Sequence, residues 1–298
     1  MTRTAAVCAL ALGLAACGDG NPFNETTGGG DTSSGTIYAT ALNEDLTMNS
    51  LVYDDNGTAD PNDDTLVVNN LPFDNSDATG GGYTRAGALA RGFDRYESPD
   101  LGTAAERQYF AVFRRSDHAQ VAAVGTGDYV GFGFGGATAQ RLGAGAVPTA
   151  RPSTYTFNGD YAAVRITTQS GGSRDVEYVT GDAELYVDIL DFDTNGAVEG
   201  IVDNRQLYDS SGNLLGSMTD FLSLATASVD FTNATINSST AVNIGGGTQL
   251  GTGNWEGIFA GPNGEEIAGI VVIEGTEGSG AGSDQVRETG TLIVTNGG

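Results

Sequence analysis

The segment Trp255-Glu-Gly-Ile-Phe-Ala-Gly261-Pro-Asn-Gly-Glu-Glu266-Ile-Ala-Gly269 reads as two strands and the turn between them. Side chains alternate across a strand, so Trp255, Gly257, Phe259 and Gly261 share one face, large residues alternating with glycine. Gly261-Pro-Asn-Gly264 carries turn chemistry, and Ile267, Gly269, Val271 and Ile273 continue along one face of the returning strand. Bulky and absent side chains in alternation suit the tapered interior of a small closed barrel.

Outward from this hairpin the same two-residue period predicts strands over 154–166, 175–180, 183–191, 198–204, 226–232, 240–244, 253–260, 266–274 and 289–294. Upstream, strands are predicted over 65–69, 108–114, 120–125 and 129–134. Helical periodicity is scarce, with short candidates only over 85–91 and 221–225. A glycine-rich stretch over 136–152 separates the two regions. The fold class that follows is all-β: a small antiparallel up-and-down barrel of about eight strands over 151–298, preceded by a β-rich, handle-like region over 36–150. A two-sheet sandwich is the alternative. The 46 glycines fit either through turns, and fit a barrel further through its bends.

The charge narrows the partners. With 13 basic and 38 acidic residues the formal charge is −25, and all 13 basic residues are arginine. Nucleic acid and anionic lipid surfaces select a basic face, so neither is expected as a partner of this chain. One histidine and two cysteines leave almost no material for multi-ligand zinc sites or a Ser-His-Asp triad.

The N-terminus carries an address. Arg3 precedes an apolar run over 5–13, too short to span a bilayer, which reads as a signal peptide over 1–16. It ends in Leu14-Ala15-Ala16-Cys17, which resembles the lipobox of bacterial lipoproteins. That resemblance implies acylation of Cys17, cleavage before it, and membrane attachment through the N-terminal lipid, with several acyl chains giving stable anchoring. Gly18 follows the cysteine and favours the outer membrane as destination. Residues 17–35 are polar and glycine-rich and read as a flexible tether.

Several motifs were weighed for chemistry. Gly131-Phe-Gly-Phe-Gly-Gly136 matches a dinucleotide fingerprint in letters but opens no helix, so its glycines are read as allowing a strand to bend or pack closely. Asp191, Asp193 and Asn195 begin like a calcium loop, yet position 12 is Val202; a hairpin turn is the preferred reading. Asp54 and Asp60 belong to an acidic turn over 54–64, a second calcium candidate. Calcium is thus the one cofactor worth naming. His118 sits in a predicted hairpin loop, Glu265 and Glu266 are neighbours without a catalytic context, and no enzyme activity is expected. The aromatics Tyr109, Phe110, Phe113, Tyr129, Phe132 and Phe134 cluster upstream. They form either a core packed against the barrel, the preferred reading, or a binding face, for which Tyr129, Phe132 and Phe134 are the candidate ligand-binding residues.

The 255–269 hairpin resembles the barrel signature of the transferrin-binding protein B family, and the similarity extends loosely through Tyr155-Thr-Phe-Asn-Gly-Asp-Tyr161 and 183–203. The resemblance implies a small eight-stranded barrel on a lipid-anchored outer-membrane surface protein. It further implies capture of a protein or small solute, with iron or haem carriers as a ligand class. The long loops through which family members contact transferrin have no counterpart here. A structural envelope lipoprotein with no specific ligand is the alternative.

Overall fold

The computed structural model describes residues 35–72, 74, 82–100, 107–128, 131–149, 154–189, 196–277 and 283–297. Over these residues the chain is all-β, with three single-turn 3₁₀ segments and no α-helix. The first eight strands are β1 (Thr36–Tyr38), β2 (Ser50–Asp54), β3 (Thr65–Asn69), β4 (Tyr83–Ala88), β5 (Asp94–Glu97), β6 (Phe110–Arg115), β7 (Ala119–Gly125) and β8 (Gly135–Arg141). They form one sheet in the order β1-β8-β7-β6-β5-β4-β3-β2.

The remaining strands are β9 (Thr154–Thr168), β10 (Arg174–Asp188), β11 (Ala197–Asp209), β12 (Leu214–Ser217), β13 (Phe221–Asp230), β14 (Thr235–Gly245), β15 (Thr248–Ala260), β16 (Glu266–Glu277) and β17 (Asp284–Asn296). Antiparallel pairing of β17 with β9 and of β10 with both β9 and β11 closes eight of them into a barrel. The ninth, β12, pairs with β11 alone. The barrel expectation is met and the sandwich is set aside, because the strands from 154 onward close on themselves instead of dividing into two facing sheets.

The barrel interior is filled rather than hollow. Phe157, Tyr161, Trp255, Phe259, Ile267 and Val271 share one buried core inside it, so the two faces read from the 255–269 hairpin do point inward. Tyr161 needs room over the neighbouring strand β17. A Cβ at Gly290 would lie 2.1 Å from its hydroxyl oxygen. The barrel's outer wall is buried too where the first sheet leans on it: Val164, Ile258, Ile270 and Ile293 meet Val112, Val121 and Ala137 in a second core. The other face of the first sheet closes over Met48, Leu66, Tyr83, Tyr96, Tyr109 and Phe113.

Arginine stitches the two sheets together. Arg114 donates to Asp160 at 2.6 Å, Arg287 to Asp45 and Glu274 at 2.8 Å each, and Arg174 to the Gly131 carbonyl at 2.8 Å. Arg95 reaches the Ser210 carbonyl at 3.0 Å, Arg141 the Asn233 carbonyl at 2.8 Å, and Arg91 pairs with Asp182. A planar fork with several fixed donors can hold two acceptors at once, which an ammonium on a flexible stem does less well. The arginine-only basicity therefore has a structural role.

Four sequence expectations are corrected. Residues 85–91 are not an α-helix: β4 occupies them as far as Ala88, with Arg85 opposite Tyr96, and Ala90–Gly92 form a single 3₁₀ turn. Residues 221–225 lie in β13, where Leu222, Leu224, Ala227 and Val229 all face the barrel core. An irregularity in the β11–β13 register stretches the spacing from two to three between Leu224 and Ala227, which mimics a helical period. The strands expected over 175–180 and 183–191 are one strand, β10, carried through a bulge at Gly181. Residues 131–134, expected to belong to a strand over 129–134, are not in one; β8 begins at Gly135 and runs into the segment taken for a linker. The Gly135-Gly136 pair does pack closely, since a Cβ at Gly136 would lie 2.1 Å from that of Met48.

Candidate functional site

The inward alternation of the barrel strands changes character toward one mouth. There the inward positions carry Arg165 on β9, Glu177 on β10, Arg205 on β11 and Glu288 on β17. Charges taken out of water need partners, and these have them. Arg205, with a fully buried side chain, donates to Asp220 at 2.6 Å and to Glu288. Tyr161 donates to the other oxygen of Glu288 at 2.7 Å. Arg165 donates to Glu277 at 2.6 Å and lies 3.7 Å from Glu177, which accepts from Thr167 at 2.9 Å. Two of the Arg165 nitrogens, Nε and Nη1, are buried without a hydrogen-bond partner.

The electrostatics follow from this packing. Burial pushes the Tyr161 hydroxyl well above its ordinary pKa, with Glu288 adding to the effect. Burial alone would lower the Arg205 pKa, but Glu288 and Asp220 outweigh it and hold the guanidinium above its ordinary value. Burial also raises Glu177, against the opposing pull of Arg165. The cluster is a charged plug that stops the lumen at this mouth.

Outside the plug lies a groove of about 400 Å³. Its apolar wall is Leu207, Leu215, Met218 and Leu250, and Arg165, Asp220 and Glu277 line its polar side. A recess of about 40 Å³ leads inward from it between Asp220, Asn243, Arg165 and Glu288, room for about one water molecule. Leu214, Leu215 and Leu250 are 58%, 57% and 36% exposed, three of the six large apolar side chains exposed among the described residues. A second depression, about 380 Å³, lies on the barrel wall by Thr154, Tyr186, Asp188, Glu199 and Thr226. Its side chains are those of an ordinary solvated strand face, and Thr226 already donates to Glu199 at 2.6 Å. The mouth, where apolar side chains stand exposed beside charge, is the stronger candidate for recognition.

The residues singled out in the sequence fall elsewhere. Cys17, Tyr129, Asp191, Asp193 and Asn195 lie outside the described residues. Phe132 sits under the Arg287 guanidinium, 4.8 Å from ring centre to Cζ, and Phe134 packs against the far core of the first sheet. Tyr109 and Phe113 are buried in that far core rather than against the barrel, where the preferred reading put them; of these aromatics Phe110 packs on the barrel side. Asp54 accepts from the Asn56 amide at 2.8 Å and Asp60 from the Asn62 amide at 3.0 Å, each closing a local turn. No group of three or more His, Cys, Asp or Glu side chains is arranged to hold a metal among the described residues. His118 lies in the β6–β7 hairpin loop, where neighbouring Ser116 donates to Glu266. Glu265 and Glu266 diverge, the first half-buried and accepting from Asn263, the second buried.

None of the charged plug was singled out from the sequence, because Arg and Glu at inward positions look like the polar side of a strand. Glu256 was missed for the same reason. Between inward Trp255 and Gly257 it points outward, where β1 packs on β15, and burial raises its pKa to about 7. Its Oε1 is buried without a hydrogen-bond partner. The folded chain thus holds a proton that the unfolded chain releases near pH 4.5. Stability should fall as pH rises from about 4.5 to 7 and flatten above. Glu256→Gln should therefore raise Tm at pH 8 by several degrees, at about 2–4 °C per kcal/mol, and leave it unchanged at pH 4. Thermal melts at the two pH values check this, and equal shifts at both would count against the burial argument.

Against known proteins, no family model and no curated protein matches the chain. Among solved structures the fold is similar to transferrin binding protein B. The mutant vaccine antigen of Haemophilus parasuis Hp5 matches at 13% identity and TM-score 0.35, over 72% of this chain and 38% of that one. A second mutant of that antigen matches at 14% identity and TM-score 0.35, over 70% and 38%. The isotype 1 protein of serogroup B Neisseria meningitidis matches at 13% and 0.34, over 70% and 36%. This chain therefore aligns with well under half of each.

Proposed function

We propose that the chain is a lipid-anchored outer-membrane surface protein that captures a protein ligand at the plugged mouth of its barrel. The observation that carries the reading is the exposure of Leu215 and Leu250 in one amphipathic groove, on a barrel whose interior is already filled. A filled barrel has no lumen for a solute, so recognition falls to its surface, and exposed apolar patches rimmed by polar groups mark protein contacts. The lipobox at Cys17 and the polar tether after it support placement on a membrane with reach from it. The hairpin's resemblance to the transferrin-binding protein B signature makes iron and haem carrier proteins the first ligands to test. The reading involves no covalent chemistry and no cofactor.

Two measurements test it. Cys17→Ser should move the protein from the membrane fraction to the soluble fraction almost completely; retention in the membrane would contradict the anchor. The mature chain immobilised without its lipid should retain a carrier protein saturably. Absence of any saturable partner, with unchanged growth of a deletion strain on limiting iron, would leave a purely structural envelope protein.

A further inference from the structure

β12 (Leu214–Ser217) is an edge. It pairs with β11 through Gln206↔Ser217, Leu207↔Gly216 and Tyr208↔Leu214, and no strand covers its other side among the described residues. Natural edge strands are usually blunted by charge, proline or a covering element, because unpaired backbone groups template further pairing. This one reads Leu-Leu-Gly-Ser, with no charge and no proline. Its two leucines stand 58% and 57% exposed, and a Cβ at Gly216 would meet nothing within 4 Å, so the strand lies open. Main-chain donors and acceptors along an edge, with a side-chain groove beside it, are the two parts of a strand-addition site.

We propose that β12 accepts an extended, basic segment of a protein partner as an added strand, with an apolar side chain of that segment seated between Leu215 and Leu250. This rests on the capture reading and specifies its chemistry. The sign of the partner follows from charge. Arg165 and Arg205 face four carboxylates, Glu177, Glu277, Asp220 and Glu288, so acid outnumbers base at this mouth, with Asp220 and Glu277 on the groove's polar rim. On a chain of −25, a Lys- or Arg-bearing strand is drawn to this mouth, whereas a second copy is repelled from it.

The test is panning of a phage-displayed pool of random decapeptides against the intact chain. Enriched peptides are expected to alternate apolar with polar residues, to carry Lys or Arg, and to lose affinity as salt rises. A synthetic enriched peptide should slow exchange of the amides at 214–217 at least tenfold, and N-methylation at alternate residues should abolish its binding. Leu215→Ser, and separately Leu250→Ser, should weaken it tenfold or more with unchanged melting, since both side chains are exposed. No enrichment, acidic enriched sequences, or affinity unchanged in both variants would overturn the proposal. So would a dimer of the chain that Leu215→Ser dissolves. A carrier protein captured equally by the wild type and both variants would overturn it too, while leaving capture itself intact.

Discussion

Trp255→Ala is expected to destabilise the chain by about 3–5 kcal/mol, lowering Tm by on the order of 10 °C. Trp255 is fully buried in the barrel core, and its indole nitrogen donates to the Ala225 carbonyl at 2.9 Å. That carbonyl lies where the pairing of β13 with β14 is interrupted between Leu224↔Ala241 and Val229↔Ile236, so the indole supplies a partner that ladder does not. Two costs combine: a cavity between filled walls, and the loss of the indole's hydrogen bond to the Ala225 carbonyl. Trp255→Phe separates them. It keeps most of the volume and should retain all but about 0.5–1.5 kcal/mol, the net contribution of the lost hydrogen bond. Denaturant unfolding of the two variants checks this. A loss below 1 kcal/mol for Trp255→Ala would mean that the interior is not packed as described.

Arg205→Met should cost about as much, roughly 3–5 kcal/mol, for a different reason. Its guanidinium balances Asp220 and Glu288, both largely buried, and removing it leaves two carboxylates facing each other out of water. A buried ion pair contributes little against an apolar replacement of all its members, but half of one is strongly unfavourable. The double variant Arg205→Met with Glu288→Gln should therefore lose clearly less than the sum of the single losses. Additive losses would show that the two side chains do not form one network.

The unequal legibility of the sequence has the same physical origin. The 255–269 hairpin was readable because Trp255, Phe259, Ile267 and Val271 all face a dry core, so apolar residues recur at every second position. The strands were read too short at the plugged mouth. β9 runs on to Thr168, β11 to Asp209, and β17 starts at Asp284, but their inward positions there are Arg165, Arg205 and Glu288. Alternation of apolar and polar residues disappears where the interior itself is charged. The feature that best marks the candidate site thus erased the signal that would have located it. The candidate residues that were named, Phe132 and Phe134 among them, stood out as aromatics, a type that serves cores and surfaces alike; Phe132 turns out to lie against Arg287.

In the first sheet β3, β6 and β7 were read close to their bounds, while β8 was hidden for another reason. β8 lies in a segment rich in glycine and alanine, which lacks the branched and aromatic residues that announce a strand. Small side chains are what let Ala137 and Ala139 approach the barrel wall closely. The arginines that fasten this contact are scattered from Arg91 to Arg287, and only the fold brings them to one seam.

Capture at the plugged mouth is the central claim, and a photo-reactive side chain placed at Leu215 in cells carrying the intact Cys17 chain tests it most directly. Val52, exposed on edge strand β2 of the first sheet, serves as the control position. Irradiation should join position 215 to one discrete protein partner and leave position 52 unlinked. No adduct at 215, or the same adducts at both positions, would contradict the account.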